Sequence, residues 1–171
     1  PVLVDYERRG RAEADRFLSN LIIVFAIVAT VIAVLAAAAA PWLMRLIAPG
    51  FSEPQLALAA GLTRIMVLNA ALLGVAGILS CVLQSAHRFV AFALPPVVYN
   101  LGIIAGILFI VPFLGLQGLA YGVVAGGALQ VLIQLPALAA IGFRFRPSFR
   151  PRDPGLRRVA RTSIPRVAAL S

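Results

Sequence analysis

Lysine is absent from this sequence, cysteine and histidine occur once each, and there are only six acidic residues. Each scarcity excludes something. One cysteine cannot make a disulfide framework or offer metal-ligand spacing. One histidine, with no acidic residue inside any long apolar run, leaves no catalytic constellation, so no catalytic, cofactor-binding or metal-binding residue is expected, and no enzyme. Charged residues make up 12% of the 171, where a soluble domain carries roughly 25%. That is too little polar surface to cover a body in water.

What fills the chain instead is apolar: 61% of its residues are hydrophobic. The charges cluster, leaving charge-free runs between Arg16 and Arg45, between Arg64 and His87, and between Arg88 and Arg144. About 20 apolar residues, rising 1.5 Å each, cross a hydrocarbon layer roughly 30 Å thick, so these runs read as bilayer spans. The longest is too long for one crossing and is punctuated at Pro112, Phe113, Leu114 and Gly115. The expected fold is all-α, a polytopic transmembrane helix bundle with four spans at about 17–40, 65–86, 90–111 and 118–141. Residues 1–16 read as a solvated loop or the tail of an earlier helix. The first outer loop runs from Arg45 to Thr63, and His87 with Arg88 makes a very short connection, so the spans on either side must be antiparallel neighbours. Pro95 and Pro96 are expected in the first turn or so of the third span, where a missing amide costs little. Residues 142–162 form a basic loop in which Asp153 and Pro154 read as the N-cap and N1 of a short surface helix. Residues 163–171 open a further span, and the chain reads as truncated at both ends.

All fifteen basic residues are arginine and the formal net charge is +9. A basic balance can mark a nucleic-acid partner, but here the placement argues against one. The N-terminal segment, the His87–Arg88 connection and the segment from Arg144 to Arg161 hold four, one and seven arginines, against Arg45 and Arg64 on the other side. By the positive-inside rule the arginine-rich side is cytoplasmic, with both chain ends there, and its arginines are expected to meet anionic lipid headgroups.

Within the spans the polar residues are Asn69, Gln84, Asn100, Gln130 and Gln134. Such side chains at membrane depth either bond a neighbouring helix or line a wet cavity. Gln130 and Gln134 lie one turn apart and share a face. Gly118, Gly122 and Gly126 recur every four residues, and Gly102 with Gly106 repeats that spacing, which suits close helix packing or homodimerisation. His87 reads as a solvated loop residue.

Five stretches in order resemble the MurJ (MviN) family of lipid II flippases: Ala48-Pro-Gly-Phe51, Arg64-Ile-Met66, Leu83-Gln-Ser-Ala-His-Arg-Phe89, Pro96-Val-Val-Tyr-Asn100, and Gly126-Gly-Ala-Leu-Gln130 continuing through Gln134-Leu-Pro136. Leu68 and Phe92 depart from the family pattern, which often has proline near those positions. The resemblance implies that the four spans are the third to sixth helices of the family's N-terminal lobe, with the seventh opening after Ser163. It implies a fragment of a transporter in the bacterial inner membrane that moves undecaprenyl-diphosphate-linked peptidoglycan precursor, lipid II, between leaflets by alternating access. The family's basic cavity residues belong to helices outside this chain, so Gln84, Asn100, Gln130 and Gln134 are carried over only as cavity or interhelical polar residues. The alternatives are a related exporter of drugs or O-antigen lipids, and a membrane scaffold without transport.

Overall fold

The computed structural model describes residues 6, 10–151, 153–156 and 159. The expected opening of a further span at 163–171 lies outside them, as do parts of the segments 1–16 and 142–162. Among the described residues there are helices and no strands. In chain order they are α1 (Arg11–Ile47), α2 (Glu53–Ser85), α3 (Phe89–Phe109), α4 (Val111–Leu114), α5 (Leu116–Leu132) and α6 (Leu135–Ala140). Four helical segments are long and apolar enough to cross a membrane: α1, α2, α3, and the stretch Leu116–Ala140 that holds α5 and α6.

Three boundaries differ from the sequence reading, each for a local reason. α1 and α2 run well beyond the expected spans, at 37 and 33 residues, or roughly 55 and 50 Å at 1.5 Å per residue. The outer loop therefore shrinks from Arg45–Thr63 to a turn at 48–52. Its far side is fixed by Ser52, whose backbone N–H donates to Gln55 Oε1 at 2.9 Å, and by Pro54 in the first helical turn. Pro95 and Pro96 lie inside α3, about two turns from its start at Phe89, rather than in its first turn. The fourth span is interrupted at Ile133 and Gln134, because Pro136 has no N–H to return to the carbonyl four residues earlier.

The connection between α2 and α3 is tighter still. Arg88 N–H donates to Leu83 O at 3.0 Å and His87 N–H to Gln84 O at 3.1 Å, closing the helix end with His87 in the left-handed region at φ 56°. His87 is exposed there, its ring 5.9 Å from that of Phe89.

The described residues divide into two compact units, one built from residues up to Phe25 and from Phe143 onward, the other from Ala26–Gly142. In the first, the opening turns of α1 hold the chain after Gly142 by its backbone. Asn20 accepts from Arg150 N–H through Oδ1 at 2.7 Å and donates to Arg150 O through Nδ2 at 2.9 Å. Ser19 Oγ accepts from Arg146 N–H at 2.9 Å while donating to Asp15 O at 2.7 Å. Beyond this clamp, Asp153 Oδ1 accepts from Gly155 N–H at 2.8 Å, at the foot of a helical turn over 154–156.

The second unit is inverted relative to a water-soluble protein. Its buried positions are mostly small: Ala60, Ala76, Gly102, Gly106, Gly118, Ala120, Gly122, Gly126 and Gly127. Leu, Ile, Val and Phe face outward along every long helix; Trp42, Leu46, Val90 and Phe113 are each more than three-quarters exposed. Against hydrocarbon there is no gain in hiding leucine from its surroundings, so small residues that let backbones meet take the interior instead.

Pro41 sits inside α1 and deprives Ala37 of the amide that would otherwise bond its carbonyl. Arg64 on α2 supplies the donor, with Nε 3.2 Å from Ala37 O. An unpartnered carbonyl at membrane depth is costly, so the arginine of the Arg64-Ile-Met66 stretch mends a helix next door. Arg64→Leu is expected to destabilise the purified protein by about 1 kcal/mol in thermal unfolding. In a Pro41→Ala background, where an amide is restored to Ala37, the same change should cost measurably less. Equal costs in the two backgrounds would show that Arg64 acts elsewhere.

Candidate functional site

The polar residues of the second unit gather where α2, α3 and α5 meet. α5 runs antiparallel to α3, and the register is set by glycines: Gly102 lies against Gly126, and Gly106 against Gly122. A Cβ on Gly122 would stand 2.7 Å from Gly106 Cα, and one on Gly118 would stand 2.8 Å from the Ile110 carbonyl carbon. No side chain larger than hydrogen fits at this crossing. A Cβ on Gly126 would likewise meet the Tyr99 carbonyl oxygen at 2.7 Å.

Beside the crossing, Asn69 of α2 is buried and its Nδ2 donates to Tyr99 Oη at 3.1 Å. Its Oδ1 faces Gly127 of α5, in the space that a side chain there would need, and has no hydrogen-bond partner among the described residues. A glycine Cα–H presented to an amide oxygen is a weak donor of the kind common between closely packed helices. One residue thus touches all three helices.

A second polar contact lies further along. Gln134, fully buried at the break between α5 and α6, accepts from Ser80 Oγ at 3.1 Å and donates to Gln130 O at 2.9 Å. The break gives Gln134 this position, and its side chain in turn occupies the Gln130 carbonyl. Gln130 Oε1 is buried without a partner among the described residues. The shared face of Gln130 and Gln134 is therefore divided: Gln134 is spent on packing, while Gln130 keeps one acceptor unspent.

The remaining two candidates point elsewhere. Asn100 is exposed on α3, its Nδ2 folded back 2.9 Å onto Pro96 O of its own helix. Gln84 is exposed at the end of α2. The sequence reading did not single out Tyr99 and Ser80. Both lie at helical positions that face the partners just described, but tyrosine and serine are common enough in membrane helices to give no signal without the helix register.

Across the whole chain, residues 1–171, the sequence matches the family model for the lipid II flippase MurJ. The chain belongs to the lipid II flippase MurJ family. It is accordingly a multi-pass protein of the bacterial inner membrane, with four of its helices fit to span it. Among similar MurJ proteins, the lipid II flippase MurJ of Burkholderia cenocepacia is 30% identical over 180 residues, covering 100% of this chain and 35% of that protein. The probable lipid II flippase MurJ of Buchnera aphidicola subsp. Acyrthosiphon pisum is 28% identical over 176 residues, with 100% and 34% covered. That of Vibrio cholerae is 28% identical over 183 residues, with 100% and 35% covered. The chain thus spans about a third of the length of these relatives.

The glycine crossing carries a direct test. Gly122→Leu forces a side chain into the Gly106 backbone and is expected to cost roughly 1 to 3 kcal/mol, read as a lowered melting temperature of the purified protein. Gly77→Leu, on α2 where a Cβ would meet nothing within 4 Å, should cost well under half as much. Equal melting temperatures for the two variants would show that α3 and α5 do not touch at Gly122.

Proposed function

We propose that this chain supplies part of the wall of a lipid II flippase, which carries the undecaprenyl-diphosphate-linked peptidoglycan precursor from the inner to the outer leaflet by alternating access. The observation that carries this reading is the family match, which extends from the first residue to the last. The work is transport, not bond-making or bond-breaking. A transporter of a charged, sugar-bearing headgroup must shield it from hydrocarbon while its lipid tail stays outside, and that needs a rigid wall with a few polar groups facing the path.

The packing supports a division of labour among the candidate residues. Gln134, with both ends of its amide engaged, acts between helices. Asn100 and Gln84 face outward from this helix group and are the candidates for a polar path, with the free acceptor of Gln130 near the break. In the same reading the arginine-rich side is cytoplasmic and its exposed guanidinium groups meet anionic headgroups.

Two experiments test this. The full-length gene should restore growth to bacteria depleted of their own flippase. Within it, Asn100→Leu is expected to abolish rescue at normal membrane abundance, whereas Gln134→Leu should lower abundance by leaving Ser80 unpaired. Good expression of the wild-type gene without rescue would sink the flippase reading; normal rescue by Asn100→Leu would remove that residue from the path.

Orientation is tested separately. Single cysteines at Gly50 and Phe149, both exposed, in a background where the exposed Cys81 is changed to serine, should react with a membrane-impermeant thiol reagent from opposite faces, Gly50 from outside. Labelling of both from one face would overturn the four-span topology.

A further inference from the structure

Among the described residues, four charged side chains line one cavity of about 120 Å³ in the unit that holds the start of α1: Glu13, Arg16, Arg150 and Asp153, with Phe17 and Asn20 completing much of the wall. Two are cationic and two anionic, yet none takes part in an ion pair among the described residues, where the one salt bridge is Arg45 with Glu53 at 3.7 Å. Opposite charges thus share a small cavity without closing on one another. Arg150 is fixed through its backbone, with both N–H and C=O bonded to Asn20, so the point from which its side chain extends is set by α1. The Asp153 backbone N–H donates to Arg150 O at 3.2 Å, and its carboxylate is held through Oδ1, which accepts from Tyr6 Oη at 3.0 Å and from Gly155 N–H at 2.8 Å, leaving Oδ2 available. The Tyr6 ring in turn stacks on Phe17 with centroids 4.3 Å apart. Glu13 and Arg16 stand less than one turn apart on α1, both exposed.

The depth of this cavity follows from the sequence of α1. Arg16 is the last charge before the apolar run that begins at Phe17, so the cavity sits where the helix leaves hydrocarbon and enters the headgroup layer. Among the described residues its lining carries no net charge, in a chain of net charge +9. An anion would meet two carboxylates there and a cation two guanidinium groups; a molecule with one charge of each sign satisfies all four.

We propose that this cavity binds the headgroup of a primary-amine zwitterionic phospholipid of the phosphoethanolamine type, with its phosphate at Arg16 and Arg150 and its ammonium at Glu13 and Asp153. Guanidinium groups suit the phosphate because they offer forked donors to its oxygens. The ammonium needs acceptors for its N–H groups, and the two carboxylates provide them. The proposal does not rest on the flippase reading. It also differs from general attraction of anionic lipid to exposed arginine, which needs no carboxylate.

The test uses the full-length protein in detergent, with binding of short-chain phosphatidylethanolamine, phosphatidylcholine and phosphatidylglycerol followed by native mass spectrometry. Trimethylation removes the N–H donors while keeping the charge, so phosphatidylethanolamine should bind roughly three- to tenfold tighter than phosphatidylcholine. Glu13 is exposed, so Glu13→Gln leaves folding intact, and it should erase most of that preference while leaving phosphatidylglycerol binding unchanged or stronger. Arg16→Gln should weaken both zwitterionic lipids. Arg45→Gln, in the other unit, should change neither. Equal binding of the two zwitterionic lipids, a preference untouched by Glu13→Gln, or one lost equally in Arg45→Gln would overturn the assignment.

Discussion

The approach of α3 and α5 at Gly102–Gly126 and Gly106–Gly122 is the constraint from which most of the membrane unit follows. Without a hydrophobic gain between helices in lipid, association depends on backbones coming close enough for dispersion and weak C–H donors to add up over many atoms. Four-residue spacing puts the glycines on one stripe of each helix, and the antiparallel course matches them in pairs. Once α5 lies against α3, its next face, carrying Gly127, is turned to α2, as is Gln134 at the break that follows. That turn brings Asn69 onto Gly127 and Ser80 onto Gln134. The polar contacts thus depend on the glycine register, and a slip by one residue would leave every amide facing the wrong neighbour.

Satisfaction of the backbone is the second constraint, and prolines reveal how it is met. Each helical proline frees a carbonyl one turn earlier. At Pro41 the gap is filled from outside the helix, by Arg64. At Pro136 the chain instead breaks: Gln134 N–H turns to Val131 O at 3.2 Å, and the Gln130 carbonyl left behind by that shift accepts from the Gln134 side chain. The difference has a sequence logic. Pro41 lies near the end of a very long helix, where an arginine from α2 can reach in from the headgroup layer. Pro136 lies where no charge is within reach along the chain, so a neutral amide does the work.

Much of this was legible in the sequence. Charge-free runs and the Pro112–Gly115 punctuation were enough for four apolar helices, and the glycine spacing was enough to expect close packing. The helix ends were not legible in the same way. Hydropathy marks where lipid begins, not where hydrogen bonding stops, so α1 and α2 continue past the apolar stretches until Pro49–Gly50 and Ser52 end them. The split of the fourth span was signalled only by Pro136, one proline among several that helices tolerate. At the site, Gln134 could be read as packing or cavity with equal ease, because the partner that decides it, Ser80, is more than fifty residues away and carries no pattern of its own. Tyr99 lies within a family stretch, but its bond to Asn69 depends on the crossing of α2 and α3.

The two charged regions of the chain illustrate how the same residue type does different work in different surroundings. Arg45 and Arg64 border the small unit-2 cavity that also includes Glu53, Ala57 and Ala60; one pairs with Glu53 and the other mends α1, so their charges are committed to the helices. Arg16 and Arg150 are anchored by helix and backbone, and their guanidinium groups make no ion pair among the described residues with Glu13 or Asp153 in the same lining. A count of arginines on each side of the membrane weighs all four alike. What separates them is whether an acceptor is already in reach: Arg45 and Arg64 each have one and brace the helices with it, whereas the guanidinium groups of Arg16 and Arg150 have none among the described residues.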